Sequence, residues 1–478
     1  MPKIAFINPI GFGTMSEQGA HIGLAYIAAS CQQAGHDVRV IALNNVKNPD
    51  ENVVISDLAC WGADIIGFTV NSFSVAHAIQ MASKIRLAMP KTKIIAGGIH
   101  PTVSLKRFLN ENHLLFDVIV LGEGDFTILE VIDCMDMNKP LSIVHGIAFI
   151  KDNDVFITPP RKRIKEIDKL PFPAYSLFEP NLPLNEYYPM ITSRGCPYDC
   201  IFCISKTFWN RRFCARSSEN VLEEIRWAKE KYGFQELRIF DDNFTQDKER
   251  AIKICKGIVD IGFNIKLTLV NGIRADSVDE ELAIWLKQAG LHYLMIGVED
   301  GNKETFQKIN KGETLDDISN AIKIFRNIGI KVEATMVIGL PGTTYKTTIN
   351  SLKFLQEHSI NGHWIIAVPF KGTQLYNYAT EEGQLLLDVE AGFNMSMVNY
   401  PPLIAFDTPE FKREERLKAF EMVNIASENY HFLVRPEETL QDAGERILKI
   451  IEKLEPEKRE YHCKRINEIF GGVINAIA

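Results

Sequence analysis

The chain has 478 residues, 46% hydrophobic and 24% charged, with a net charge of −8. That length suits about three domains with sizeable cores, and the composition excludes a disordered, collagen-like or coiled-coil chain. The acidic balance argues against non-specific nucleic-acid binding, and no apolar run approaches the ~18 residues of a membrane span. Nine cysteines, an odd number gathered at one place only, point to a reducing cytoplasm and to metal chemistry rather than disulfides.

Residues 1–140 alternate strand and helix signals. Apolar runs at 3–8, 37–43, 64–69, 92–96 and 117–121 are separated by helix-period segments near 21–35, 51–62, 74–89, 101–112 and 125–137. This rhythm predicts an open, doubly wound Rossmann-like parallel sheet, whose ligand lies beyond the carboxyl ends of the strands. The loops there are rich in glycine and neutral polar groups: Asn8 to Gly13, Thr69 to Ser74, Gly97 to Thr102 and Gly122 to Asp125. None carries the dinucleotide fingerprint.

Residues 141–187 form a connector. Two apolar runs, 147–150 and 155–157, flank a polar turn and predict a hairpin. Proline-dense sequence around Pro159-Pro160 and Leu170-Pro171-Phe172-Pro173 then reads as an extended linker.

Cys196-Pro197-Tyr198-Asp199-Cys200-Ile201-Phe202-Cys203 is the sharpest signal. Thiolates suit zinc or an iron–sulfur cluster. Zinc needs a fourth donor, for which Cys214 is the candidate, but no second C-x₂₋₄-C pair follows. Three ligands on a cubane leave one iron without a protein ligand. After the cluster, strand signals at 188–192, 237–241, 266–270, 292–298, 331–338 and 363–368 alternate with helix signals near 217–232, 246–261, 278–289, 315–328 and 343–358. Six βα units predict a partial barrel over 188–387, with its site at the carboxyl ends of the strands. From 388 the rhythm stops, and three helical patterns near 409–432, 435–454 and 457–475 predict a small helical C-terminal domain over 388–478.

The C-x₃-C-x₂-C spacing, with Phe202 before the last cysteine, resembles the radical S-adenosylmethionine superfamily. The segments Gly23 to Ala28, Gly97 to Thr102 and Gly122 to Asp125 resemble the cobalamin-binding domain of one branch of it. The resemblance implies a [4Fe-4S] cluster on Cys196, Cys200 and Cys203, with S-adenosylmethionine on the open iron. It places Asp241 or Asp242 near the amine of that nucleotide, Asn271, Arg274 and Glu299 around its carboxylate or ribose, and Ile338-Gly339 behind its adenine. It places cobalamin near Ser72, Phe73, Gly97, Gly98, His100, Gly122 and Glu123, with its nucleotide tail passing Ser72 and the Gly97-Gly98 turn. The D-x-H-x-x-G motif of other cobalamin proteins is absent around His21, so cobalt is expected without a histidine on its lower face and with the loop 70–73 as floor. On their own, His21 and His100 read as helix-start and turn residues. Asp300, Thr343 and Lys371 depart from the usual Ser, Glu and Pro of that family.

Together these features imply methylation of an unactivated carbon, or of phosphorus, in a small metabolite, lipid or peptide. The alternatives are a radical cyclisation, rearrangement or oxidation, and a non-catalytic cobalamin or metal sensor. A flavodoxin or ferredoxin is expected as electron donor, and the chain as a cytoplasmic monomer.

Overall fold

The computed structural model describes residues 1–11, 21–46, 48–178, 182–391 and 403–428. The first unit begins with β1 (Lys3–Asn8), α1 (Ile22–Gln33), β2 (Asp37–Ala42), α2 (Glu51–Trp61), β3 (Ile65–Thr69) and α3 (Val75–Ala88). It continues with β4 (Lys93–Gly97), α4 (Ile99–Val103), α5 (Leu105–Asn112), β5 (Val118–Val120), α6 (Thr127–Asp136), β6 (Ile147–Lys151) and β7 (Asp154–Ile157). The sheet order is β2-β1-β3-β4-β5-β6-β7, parallel through β5. Alternate residues of β1 enter different cores: Ile4 and Phe6 pack on one face of the sheet, Ala5 and Ile7 on the other. Burial on both faces is why this strand reads as a continuous apolar run. Local signals set the helix ends, as where Asp50 caps α2 by accepting from Asn52 and Val53 and Gly62 closes it at φ +77.

The hairpin expected in the connector forms, but it belongs to the sheet of the first unit: β6 pairs antiparallel with β5 (Ile119 opposite Ala148). The single helix expected over 101–112 is two, α4 and α5, divided at Ser104.

The second unit starts with β8 (Tyr187–Met190) and β9 (Ser193–Arg194), then α7 (Ser205–Trp209), β10 (Cys214–Ala215), α8 (Ser218–Tyr232), β11 (Glu236–Ile239), α9 (Lys248–Ile261), β12 (Lys266–Leu269) and α10 (Glu280–Gln288). There follow β13 (Tyr293–Glu299), α11 (Lys303–Lys308), α12 (Leu315–Asn327), β14 (Lys331–Ile338), α13 (Tyr345–Glu357), β15 (Asn361–Ile366) and α14 (Gln374–Glu381). All six expected strands are present. They form two parallel ladders, β8-β11-β12 and β13-β14-β15, linked by isolated bridges at Leu267–Leu291 and Ile273–Ile296. The result is an open six-stranded barrel wall with helices outside.

Beyond it, β16 (Gln384–Leu385) pairs with β17 (Phe406–Asp407), and α15 (Arg413–Glu428) packs on α13, β14 and β15. The patterns at 435–454 and 457–475 lie outside the described residues. No described helix is long and apolar enough to cross a membrane. One apolar core runs from β1 and α1 through Tyr175 and Tyr188 into the barrel, so the two units pack directly on each other.

Candidate active site

The cysteine loop hangs from the carboxyl end of β8. Gly195 makes the turn at φ +83, where a Cβ would lie 2.0 Å from the Arg212 carbonyl oxygen, so only glycine fits. The loop is pinned below by Asp241. This buried carboxylate accepts from the Thr192 amide at 2.6 Å, the Ser193 hydroxyl at 2.6 Å and the Thr192 hydroxyl. Its oxygens are thus committed to the strand that leads into the cysteines. Asp242 instead faces the loop, accepting from the Ser205 hydroxyl at 3.1 Å and from Gly195 and Trp209. Burial pushes its carboxyl upward.

Cys196, Cys200 and Cys203 are all partly buried, and Cys203 lies close enough to feel the charge of both others. Burial pushes the thiols of Cys200 and Cys203 up to about 12 and about 11, so metal loading must displace their protons. A cubane binds each thiolate at a different iron, so the three need no common point; among the described residues no group of three such donors surrounds a single-ion position. Cys214 stands apart on β10, donating to the Lys165 carbonyl at 3.2 Å and sensing Glu123, Arg194 and Asp168. Three soft donors in eight residues, without the fourth cysteine, suit a cluster with one open iron. Phe202 packs against the main core beside them.

Of the other strand-end residues, Asn271, Arg274 and Glu299 border this loop. Asn271 donates to the carbonyls of Phe240 at 2.9 Å and Asp241 at 3.2 Å. Arg274 is paired with Asp276 at 2.7 Å and lies 3.3 Å from the centre of the Tyr198 ring. Glu299 ends β13 at φ +64, after a register shift, with a carboxyl raised by burial and opposed by Lys311 at 3.4 Å. Ile338 is buried at the end of β14, and the turn at Gly339 has φ +98. Asp300 is tied to Ser351 at 2.8 Å and the Asn302 amide at 2.7 Å. Sequence reasoning missed Tyr198, Lys311 and Glu313, which complete this group.

Over the first sheet lies a largely apolar cavity of about 300 Å³. It is lined by Phe6, Leu24 and Ile128 and by the strand-end residues Gly97, Gly98, Gly122 and Glu123. Gly98 has φ +107, and a Cβ there would lie 2.6 Å from the Val70 carbonyl oxygen, so glycine lets this turn pack directly against the backbone of the 70–73 loop. A largely apolar cavity bordered by glycines at the strand ends suits a large ligand that approaches the backbone closely. Arg194, Phe208 and Trp209 of the second unit line the same cavity, a role not legible from the sequence beyond their nearness to the cysteines.

His21 lines the groove but is internally used. Its Nδ1 accepts from the Leu24 amide at 3.1 Å, so in the neutral ring Nε2 carries the proton and donates to Thr69 at 3.1 Å. His100 is buried, 3.1 Å from Ser72 and against the Glu390 backbone, with its ring held down to about 4 chiefly by desolvation. Phe73 meets Phe370 edge-on at 6.3 Å, joining the expected floor to the barrel. Glu123 bonds the Ile164 amide and Arg194, both at 3.0 Å, and Arg194 also grips Asp125 at 2.9 and 3.0 Å.

The family model of the radical SAM superfamily matches residues 190–355, and that of the B12 binding domain matches 10–132. The chain is similar, at 30% identity over 380 residues, to the Uncharacterized methyltransferase PH0819 of Pyrococcus horikoshii, covering 77% of this chain and 80% of that one. This chain belongs to the B12-binding radical SAM enzymes. It is also 27% identical over 402 residues to an anaerobic magnesium-protoporphyrin IX monomethyl ester cyclase of Synechocystis sp., covering 81% and 79% of the two chains. The radical S-adenosylmethionine methyltransferase TsrM of Kitasatospora setae, solved with cobalamin and a [4Fe-4S] cluster, shares the fold at a TM-score of 0.73, with 14% identity and all of both chains covered. The cofactors of this radical SAM enzyme are therefore a [4Fe-4S] cluster, S-adenosylmethionine and cobalamin.

Proposed function

We propose that this radical SAM enzyme transfers a methyl group to an unactivated carbon, or to phosphorus, of a small, largely apolar substrate. The observation that carries the reading is a second cavity, of about 140 Å³, where the two units meet. Asn71, Ser72 and Phe73 line it from the cobalamin side, Ile204 from the residue after Cys203, and Phe370 and Lys371 from the end of β15. A substrate group seated there touches the walls of both cofactor sites at once. When bound, the cluster with S-adenosylmethionine supplies a hydrogen-abstracting radical and the corrin supplies a methyl group. The chain's own part is placement: Cys196, Cys200 and Cys203 hold the cluster, and Asp242, Asn271, Arg274 and Glu299 border the nucleotide. Gly97, Gly98 and Gly122 admit the corrin above the floor at Ser72 and Phe73, with Ile338 and Gly339 behind the adenine. A flavodoxin- or ferredoxin-type donor supplies the electron.

The relative named as a cyclase supports a second reading, in which the radical step proceeds without methyl transfer. One experiment separates the two. The reconstituted enzyme, reduced and loaded with cobalamin, is given S-adenosylmethionine carrying a ¹³C methyl group and a mixture of metabolites and lipids. Labelled product together with 5′-deoxyadenosine is the expected result. 5′-Deoxyadenosine with no labelled product favours the cyclase-type reading, and the absence of both overturns each.

A further inference from the structure

The loop 309–313 joins α11 to α12 and contributes to no strand, yet it is tied to the cysteine loop at several points. The Ile201 amide donates to the Ile309 carbonyl at 3.1 Å, and Asn310 donates to the Asp199 carbonyl at 3.3 Å. Arg274, stacked on Tyr198, donates to the Lys311 carbonyl at 2.7 Å.

A buried cation stands at the centre of this loop. The Lys311 side chain is 8% exposed, and its ammonium lies 2.8 Å from Glu313 and 3.4 Å from Glu299 while donating to the Gly297 carbonyl. The Glu313 side chain is fully buried, and its other oxygen accepts from the Ala275 amide at 3.0 Å. One lysine therefore serves two buried carboxylates, and its charge is felt at Cys200. Arg274 stands 3.8 Å from the far oxygen of Glu313. Without Lys311, Glu299 would lose the cation that faces it and Glu313 would keep only this longer contact, beside a cluster that gains a further negative charge on reduction. In a poorly solvated site such charges act strongly and move a cluster's potential.

We propose that Lys311 is a positioning residue for the iron–sulfur centre: it neutralises Glu299 and Glu313 beside the Cys200 corner and so raises the cluster's reduction potential into the reach of an external one-electron donor. A lysine that merely filled space would be replaceable by methionine without moving that potential.

The test uses the full chain, purified anaerobically, reconstituted with iron and sulfide, and titrated with dithionite without S-adenosylmethionine. The electron paramagnetic resonance signal of the reduced cluster is followed against potential. Lys311→Met, at equal iron content, is expected to titrate lower, with at least a tenfold fall in the reduced-to-oxidised ratio at the wild-type midpoint, which is 59 mV for a one-electron couple. Lys311→Arg keeps the wild-type midpoint, and Glu313→Gln moves it upward. An unmoved midpoint in a fully loaded Lys311→Met protein overturns the proposal. Should Lys311→Met fail to hold its cluster, Glu313→Gln decides: an upward shift supports the role, and an unchanged midpoint overturns it.

Discussion

Asp241 and Asp242 are adjacent in sequence and point to different tasks. Asp241 is saturated by Thr192 and Ser193 and holds the strand end from which the cysteines hang, whereas Asp242 faces the cysteines themselves. Asp241→Asn is therefore expected to cost about 1–3 kcal/mol of stability, because charge-assisted bonds are lost and a donor is forced among donors. Urea unfolding of the full chain checks it. His100 gives a pH signature. Its folded value of about 4 lies below the ordinary 6.5, so the folded state resists a proton that the unfolded chain accepts. Its contribution is complete above pH 6.5 and is lost as pH falls from 6.5 towards 4. The urea midpoint should drop more steeply over that window in the natural protein than in His100→Gln. At this scale the sequence was legible where residue type and spacing define the chemistry, as in the three cysteines. It was silent on Lys311, because a lysine in a glycine-containing loop ordinarily sits in solvent.

Among the elements, the strands were legible because each is a short apolar run closed by polar or glycine residues. Their pairing was less so: β6 and β7 read as a free-standing hairpin, since nothing local announces that Ala148 will lie opposite Ile119. The five-residue α7 was missed because one turn and a half carries too little periodicity. The cysteine loop depends on one backbone position. Gly195→Ala is expected to cost more than about 1 kcal/mol, since it combines a positive φ with contact on the Arg212 carbonyl. Iron content after reconstitution should fall with it. In the second ladder, Glu333 is held down at about 2, against an ordinary 4.5, by its bonds to Lys331, His363 and Tyr293 despite burial. Its stabilisation is full above pH 4.5 and fades towards pH 2, and Glu333→Gln should flatten the acid side of the unfolding curve.

Across the whole molecule, the two units meet through the shared core and through Arg194, which is 10% exposed and faces Glu123 and Asp125, 6% and 5% exposed. Removing the cation takes the ion-pair partner from buried Asp125 and leaves Glu123 with only Arg163 at 3.8 Å and the Ile164 amide. Arg194→Gln should cost about 3–5 kcal/mol and split a single unfolding transition into two, as calorimetry would show. The domain order could be read from the sequence because each fold advertises itself by alternation. The clasp could not, because its partners lie about seventy positions apart.

In the barrel wall, full ladders lace β8, β11 and β12 together and β13, β14 and β15 together, while isolated bridges join the two halves. Asn271 and Arg274 follow one half, and Glu299 closes the other. The wall thus has a parting line that runs between the residues proposed above to border the nucleotide. Breathing along it would loosen or tighten those groups together, and amides bordering the line should trade hydrogen for deuterium sooner than those inside either ladder.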